Sequence, residues 1–172
     1  RLIGDLAEVR KGIDFLAGAV TLSYNGTNEM VFASTLYSDP ATGNEYVVVA
    51  TKDKVILWND ANNSGIDIDY PGSEVVATAD GASFVQALEK LILFRGKNKT
   101  PLEWDGDVSN DFVVKANGSP GAGRIQCPNT DYGVFFRNRL IIPQPTDSNY
   151  SIIMSDLLDT DNYYAAESQF RI

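Results

Sequence analysis

The sequence predicts an all-β fold, made of propeller-like blades of short antiparallel strands and led by a short N-terminal helix or arm. Three observations carry this expectation. Apolar runs of four to six residues recur, each bounded by Gly, Asn, Asp or Pro. Helix signals are sparse beyond the first dozen residues. A unit consisting of a polar turn, a cation and three aliphatic residues appears three times along the chain.

Residues 1–18 are expected to form the arm. Leu2, Ile3, Leu6 and Val9 have helical spacing, and Gly12 closes the pattern. The remainder, 19–172, reads as blades. Strands at 19–24 and 30–35 flank Asn25-Gly26, the strongest short-range turn signal in the chain, with a connection longer than two residues. Asp39-Pro40 and Thr42-Gly43-Asn44 lead into a strand over 45–51. Lys52-Asp53-Lys54 then turns the chain into 55–58, and 59–65 is a polar loop. Further strands are expected at 74–79, 84–88, 91–94, 102–104, 112–115, 132–136, 140–142 and 150–155. The stretch 82–93 fits two readings. Ser83-Phe84-Val85-Gln86 resembles a capping box, and Phe84, Val85, Leu88, Leu91 and Ile92 fall at helical spacing. The repeat decides for a hairpin.

That repeat overlays Lys52-Asp53-Lys54-Val55-Ile56-Leu57-Trp58, Leu88-Glu89-Lys90-Leu91-Ile92-Leu93-Phe94 and Arg137-Asn138-Arg139-Leu140-Ile141-Ile142-Pro143 without gaps. Its cations, Lys54, Lys90 and Arg139, stand 36 and 49 residues apart. Such periods, with several strands per unit, belong to propeller blades, which bury their faces by stacking on one another. Continuous aliphatic triplets suit strands covered on both sides. A chain of 172 residues holds at most three and a half such units, whereas a closed propeller needs about four or more. The expectation is therefore a fragment of a larger ring, and the start at Arg1 agrees with it.

Composition removes several function classes. The chain has no His and one Cys, which excludes Ser-His-Asp and Cys-His nucleophile systems, His-ligated metals, an intramolecular disulfide and paired-cysteine metal knuckles. A formal net charge of −9 opposes phosphate neutralisation, so no sequence-specific nucleic-acid partner is expected. No run of 18 apolar residues occurs, and no membrane span is expected. The protein is read as not an enzyme, with no catalytic, cofactor or metal residues assigned.

Several side chains are candidate sites. Asp105, Asp107, Ser109 and Asp111 have the alternating oxygens that open an EF-hand loop, but Ala116 stands where its closing Glu belongs, so a solvated acidic turn is expected. Asp156, Asp159 and Asp161 are expected to cap a short helix over 162–166 rather than gather a cation. Asp67 with Asp69, and Glu103 with Asp105, share strand faces as glycosidase carboxylates would, but such spacings arise by chance in an acidic chain. Tyr132, Tyr150, Tyr163 and Tyr164 are expected at a core edge with their hydroxyls in water. Arg95 and Lys97-Asn98-Lys99 read as a small solvated basic loop, and Cys127 as an inert thiol. Five Asn-x-Ser/Thr triplets, at Asn25, Asn62, Asn98, Asn117 and Asn149, are taken as chance.

Two passages carry a resemblance. Leu91-Ile92-Leu93-Phe94-Arg95-Gly96 followed by Pro101-Leu102-Glu103-Trp104-Asp105-Gly106 resembles a blade of bacteriophage virion structural proteins. Arg137-Asn138-Arg139-Leu140 followed by Ser155-Asp156 and the Asp-rich turn up to Tyr163 resembles the next element of such proteins. The resemblance covers about residues 84–172, and residues 1–80 carry no matching motif. It implies a phage tail component with a β-propeller domain, such as a tail nozzle, localised in the virion. The implied partners are copies of itself in a ring and other phage tail or fibre proteins, with no cofactor. A WD40 protein is excluded: Trp104-Asp105 is present, but the Gly-His dipeptide is not. The alternative is a carbohydrate-binding or glycan-processing β-propeller. Under the structural reading, specificity would come from blade edges and loops such as 59–65, 119–123 and 144–149.

Overall fold

A computed structural model describes residues 23–24, 27–28, 30–59, 64–76, 81–115, 122–143, 151–164 and 170–171. The chain divides after Met30 into two units. In the first, β1 (Ser23–Tyr24) pairs with β2 (Thr27–Asn28), and Tyr24 stands opposite Thr27. The expected turn at Asn25-Gly26 itself lies outside the described residues, and the strand that pairs with β1 is 27–28 rather than 30–35. The expected helix or arm over 1–18 lies outside the described residues.

The second unit holds three four-stranded antiparallel sheets laid down in chain order. Sheet 1 is β3 (Ala33–Ser38), β4 (Glu45–Ala50), β5 (Lys54–Asn59) and β6 (Ser64–Asp69). Sheet 2 is β7 (Ser83–Ala87), β8 (Lys90–Phe94), β9 (Leu102–Trp104) and β10 (Val113–Val114). A ribbon joins β11 (Arg124–Ile125) to β15 (Tyr163–Tyr164). Sheet 3 is β12 (Val134–Phe136), β13 (Arg139–Pro143), β14 (Ser151–Met154) and β16 (Phe170–Arg171), in that order. No helix occurs among the described residues, so the all-β expectation holds.

The ambiguous stretch is the β7–β8 hairpin, with Ala87 opposite Lys90. Its aliphatic run reads as helical only because β8 is buried on both faces and therefore lacks alternation. Three expectations are corrected. No strand covers Glu74, Val75 and Val76; the Val76 N–H instead bonds the Lys52 carbonyl at 2.8 Å, and 77–79 lie outside the described residues. The expected loop 59–65 contains the start of β6, whose Gly and Asp residues hide a strand that pairs fully with β5. A strand, β15, takes Tyr163 and Tyr164 where a short helix was expected.

The repeat proves structural but offset. Lys54, Lys90 and Arg139 each begin a strand, and each reaches the strand that follows. Lys54 Nζ lies 3.0 Å from Asp67, Lys90 Nζ 2.5 Å from Glu103, and Arg139 donates to the Ser155 carbonyl at 2.7 Å. In sheets 2 and 3 this strand is the second of four, but in sheet 1 it is the third. The first copy therefore falls one strand late.

The sheets stack face to face. Leu91 and Leu93 of β8 join Leu102 and Trp104 of β9 in one core with Tyr37, Val48, Val55, Leu57 and Ile68 of sheet 1. Ile92 and Phe94, on the opposite face of β8, join Val85 and Ala87 of β7 in a second core with Leu140, Ile142 and Ile153 of sheet 3. Each such aliphatic side chain, fully buried, contributes about 1.5–3 kcal/mol. The first strands run alongside each other: β7 lies against β3 on one side and β12 on the other. Gly133 permits the second contact, because a Cβ there would run into Phe94 and Ile142.

Candidate functional site

Two polar features stand out where sheets meet. The first is a cleft of ≈ 440 Å³ between sheets 1 and 2, lined by Tyr37, Tyr46, the turn 39–42 after β3, Glu89 and the loop 105–108 after β9. Its described lining residues carry four carboxylates, on Asp39, Glu89, Asp105 and Asp107, and no cation. Asp39 accepts the Ala41 N–H at 2.9 Å and the Thr42 hydroxyl, and these bonds hold its carboxyl below the ordinary aspartate range. Asp105 accepts the Asp107 N–H at 3.0 Å and the Asn110 side-chain amide at 2.8 Å. Asp107 accepts the Ser109 N–H at 2.8 Å. The Tyr37 hydroxyl donates to the Glu89 carbonyl at 3.0 Å, and burial, then Asp39 and Asp105, push its pKa up.

Three of the four carboxylates thus close their own turns. An Asp39 held anionic is no proton donor for general acid catalysis. Both tyrosine rings are buried, so neither offers a face to a sugar. Gly106 adopts φ +91, and a Cβ there would strike the Tyr37 hydroxyl. The Asp-Gly of the "Trp-Asp-Gly" motif therefore serves a close approach between sheets. Its Trp104 indole donates to the Asp107 and Asn110 carbonyls, both at 3.0 Å.

The second feature lies between sheet 2 and the turn before β15. Lys115, just past β10, is buried, and its ammonium lies 2.5 Å from both Glu103 and Asp161 and 3.1 Å from the Thr160 hydroxyl. Burial alone would lower its pKa, but the Glu103 and Asp161 carboxylates outweigh that effect and hold it above the ordinary lysine value. Glu103 also pairs with Lys90, so one carboxylate serves two cations.

Three of the carboxylates considered as catalytic pairs are engaged by partners of their own. Asp67 pairs with Lys54, Glu103 with Lys90 and Lys115, and Asp105 belongs to the cleft turn. Asp111 accepts the Asp69 N–H at 3.2 Å, fastening the loop before β10 to β6. The aspartates expected to cap a helix do other work. Asp156 pairs with Arg124 at 2.9 Å, Asp161 with Lys115, and Asp159 accepts the Asp161 N–H and the Asn162 amide, closing the turn that enters β15. Among the described residues, no three acidic or cysteine side chains form a group that could hold a metal ion.

Two further expectations are corrected. Arg95 is not part of a solvated loop: it is wholly buried, donating to Glu74 at 2.7 Å and to the Val75 and Thr100 carbonyls. Lys97 and Asn98 alone of that loop are exposed. Tyr163 is not at a wet edge. Its ring is buried and its hydroxyl lies 3.1 Å from the Thr160 carbonyl and 3.4 Å from Cys127 Sγ. Tyr132 is exposed, as expected, and Tyr150 lies outside the described residues. Cys127 is buried, and desolvation raises its thiol to about 11, so it is protonated at neutral pH and a poor nucleophile.

Sequence reasoning missed Lys115 and Arg95 as joints between segments. The available signal was a cation adjoining a strand of apolar residues, but their partners Asp161 and Glu74 lie 46 and 21 residues away. Comparison with protein families, curated proteins and solved structures finds no match to any of them.

Proposed function

We propose that this chain is a structural component of a bacteriophage tail, a nozzle-like ring element whose propeller-like blades hold copies of the chain and other tail proteins in place. The observation that carries the reading is the position of β7, flanked by β3 and β12 while both faces of sheet 2 are buried. First strands side by side, with later strands farther out, is how blades are arranged about an axis.

The motif residues behind the resemblance support it by their use. Gly96, at φ +94, donates its N–H to the Thr130 carbonyl at 3.2 Å, and Leu102 and Trp104 fill the first core. These residues hold one sheet against another, as a scaffold requires. A sugar-binding role would draw on the acidic cleft, but its buried tyrosines and self-bonded carboxylates favour the structural reading. No helix among the described residues is long and apolar enough to cross a membrane.

The test is mass spectrometry of gradient-purified virions of the phage whose genome encodes the chain. The reading expects the chain in stoichiometric amount with tail proteins; particles that lack it overturn the proposal.

A further inference from the structure

Tyr46 carries a buried hydroxyl that no neighbour satisfies among the described residues. Tyr37 and Tyr46 stand directly opposite each other on β3 and β4, so their rings leave the same face of sheet 1. Both line the acidic cleft. Tyr37 uses its hydroxyl on the Glu89 carbonyl. Tyr46 is only 9% exposed, with its ring packed into the first core, and its hydroxyl makes no hydrogen bond among the described residues. Buried hydroxyls are bonded as a rule, because a polar group taken out of water without a partner is costly. The charge around this hydroxyl is equally unbalanced. The bonds that Asp39, Asp105 and Asp107 accept come from neutral amides and a hydroxyl, so they position the charges without cancelling them. Glu89 lends its backbone carbonyl to Tyr37 and leaves its carboxylate exposed. Lys90, in the adjoining hollow shared with Leu88, Glu89 and Asp105, is committed to Glu103 at 2.5 Å.

We propose that the cleft binds an aliphatic organic cation, its ammonium bonded to the Tyr46 hydroxyl among the four carboxylates and its apolar stem lying along Leu88 and Val108. An ammonium has three donors and no acceptor, which matches a hydroxyl oxygen set among anions. The stem has its own surface: Leu88 is 40% and Val108 42% exposed, and each adjoins the carboxylates. Size favours a molecule over a bare ion. A cleft of ≈ 440 Å³ falls within the range of small-molecule sites. Among the described residues, no three acidic side chains group to hold a metal ion. The same chemistry is offered by a free polyamine and by a lysine side chain of another protein.

The inference stands apart from the tail reading, and the presence or absence of the chain in virions does not bear on it. Isothermal titration calorimetry of the full chain at constant ionic strength tests it. The probes are putrescine, a capped Gly-Lys-Gly peptide, its Gly-norleucine-Gly counterpart and magnesium chloride. Putrescine or the lysine peptide is expected to bind one to one. A tighter putrescine identifies the source as a free polyamine, and a tighter lysine peptide as a side chain of another protein. Tyr46→Phe should weaken that binding about 10-fold or more, as loss of a hydrogen bond to a charged group does. Glu89→Gln should weaken it about 2–5-fold, as an exposed charge pair does. Tyr46→Phe should also leave the melting temperature of the unliganded chain unchanged or raised, because the hydroxyl has nothing to lose. No binding of either amine at millimolar concentration overturns the proposal, as does unchanged binding in either variant. Magnesium or the norleucine peptide binding as well as the amines overturns it too. A lower melting temperature for Tyr46→Phe does the same, since it gives the hydroxyl a partner within the fold.

Discussion

Lys115 and Asp161 are 46 residues apart in the chain and 2.5 Å apart in space. The ammonium comes from just past β10, at the edge of sheet 2, and the carboxylate from the turn that enters β15, so this pair, with Glu103 beside it, ties consecutive segments together. Removing one partner of a fully buried ion pair costs about 3–5 kcal/mol; here Glu103 keeps Lys90 and Asp161 is partly exposed, so a loss at or below the bottom of that range is expected. Lys115→Met should lower stability towards that range, and Lys115→Met/Glu103→Gln should recover part of the loss. Urea unfolding measures both; a single variant within about 0.5 kcal/mol of wild type, the ordinary range for surface changes, contradicts the latch.

The same lysine predicts an alkaline effect. Its folded pKa is raised above the ordinary 10.5. The ion-pair contribution is therefore complete below 10.5 and is lost as pH rises through the folded value. The stability gap between wild type and Lys115→Met should hold steady from neutral pH and narrow above 10.5. Denaturation curves across that interval check it; a gap that widens there has the wrong sign.

Gly106 and Tyr37 make a second joint. Gly106→Ala combines a positive φ of +91 with a Cβ aimed at the Tyr37 hydroxyl. A loss of about 1–3 kcal/mol is expected. Adding Tyr37→Phe should relieve the steric part and leave the backbone part. Thermal melting separates the two, and additive losses in the double variant would argue against the contact.

Leu88 is an exposed leucine at φ 58 in the β7–β8 turn, opposite to the preference of a β-hairpin for Gly or Asn there. Leu88→Gly should raise stability by about 1 kcal/mol, since the left-handed conformation costs a non-glycine residue roughly 1–2 kcal/mol. A lower melting temperature would show that the leucine makes contacts worth more than its strain.

Cys127 should be silent. With a thiol raised to about 11 and buried beneath Tyr163, it should resist alkylation at neutral pH until the protein unfolds. Labelling followed by mass spectrometry reads this directly; rapid labelling of native protein would place the thiol at the surface.

The sequence announced the sheets better than the joints. Strand positions were legible wherever an aliphatic run met a turn, as at Lys54, Lys90 and Arg139, because local pattern and pairing agree there. β6 escaped because Ser64, Gly65, Asp67 and Asp69 are poor strand formers and pair through their backbones with β5. The capping box at Ser83 points the other way, towards a helix, and only the repeat argues for the hairpin. Arg95 reads as part of a solvated loop and Lys115 only as a strand end, since burial of a charge depends on a carboxylate that only the folded chain brings near. Tyr163 was misplaced for the same reason: its hydroxyl partners, Thr160 and Cys127, meet it only across a closed turn and a neighbouring segment.

The proposed arrangement has consecutive sheets stacked with their first strands innermost, serving a tail. Cryo-electron microscopy of the virion tests it most directly. The account predicts density for this chain in the tail, with β3, β7 and β12 side by side nearest a common axis and the later strands farther out. A tail without this chain, or sheets arranged with β6 and β10 nearest the axis, would contradict it.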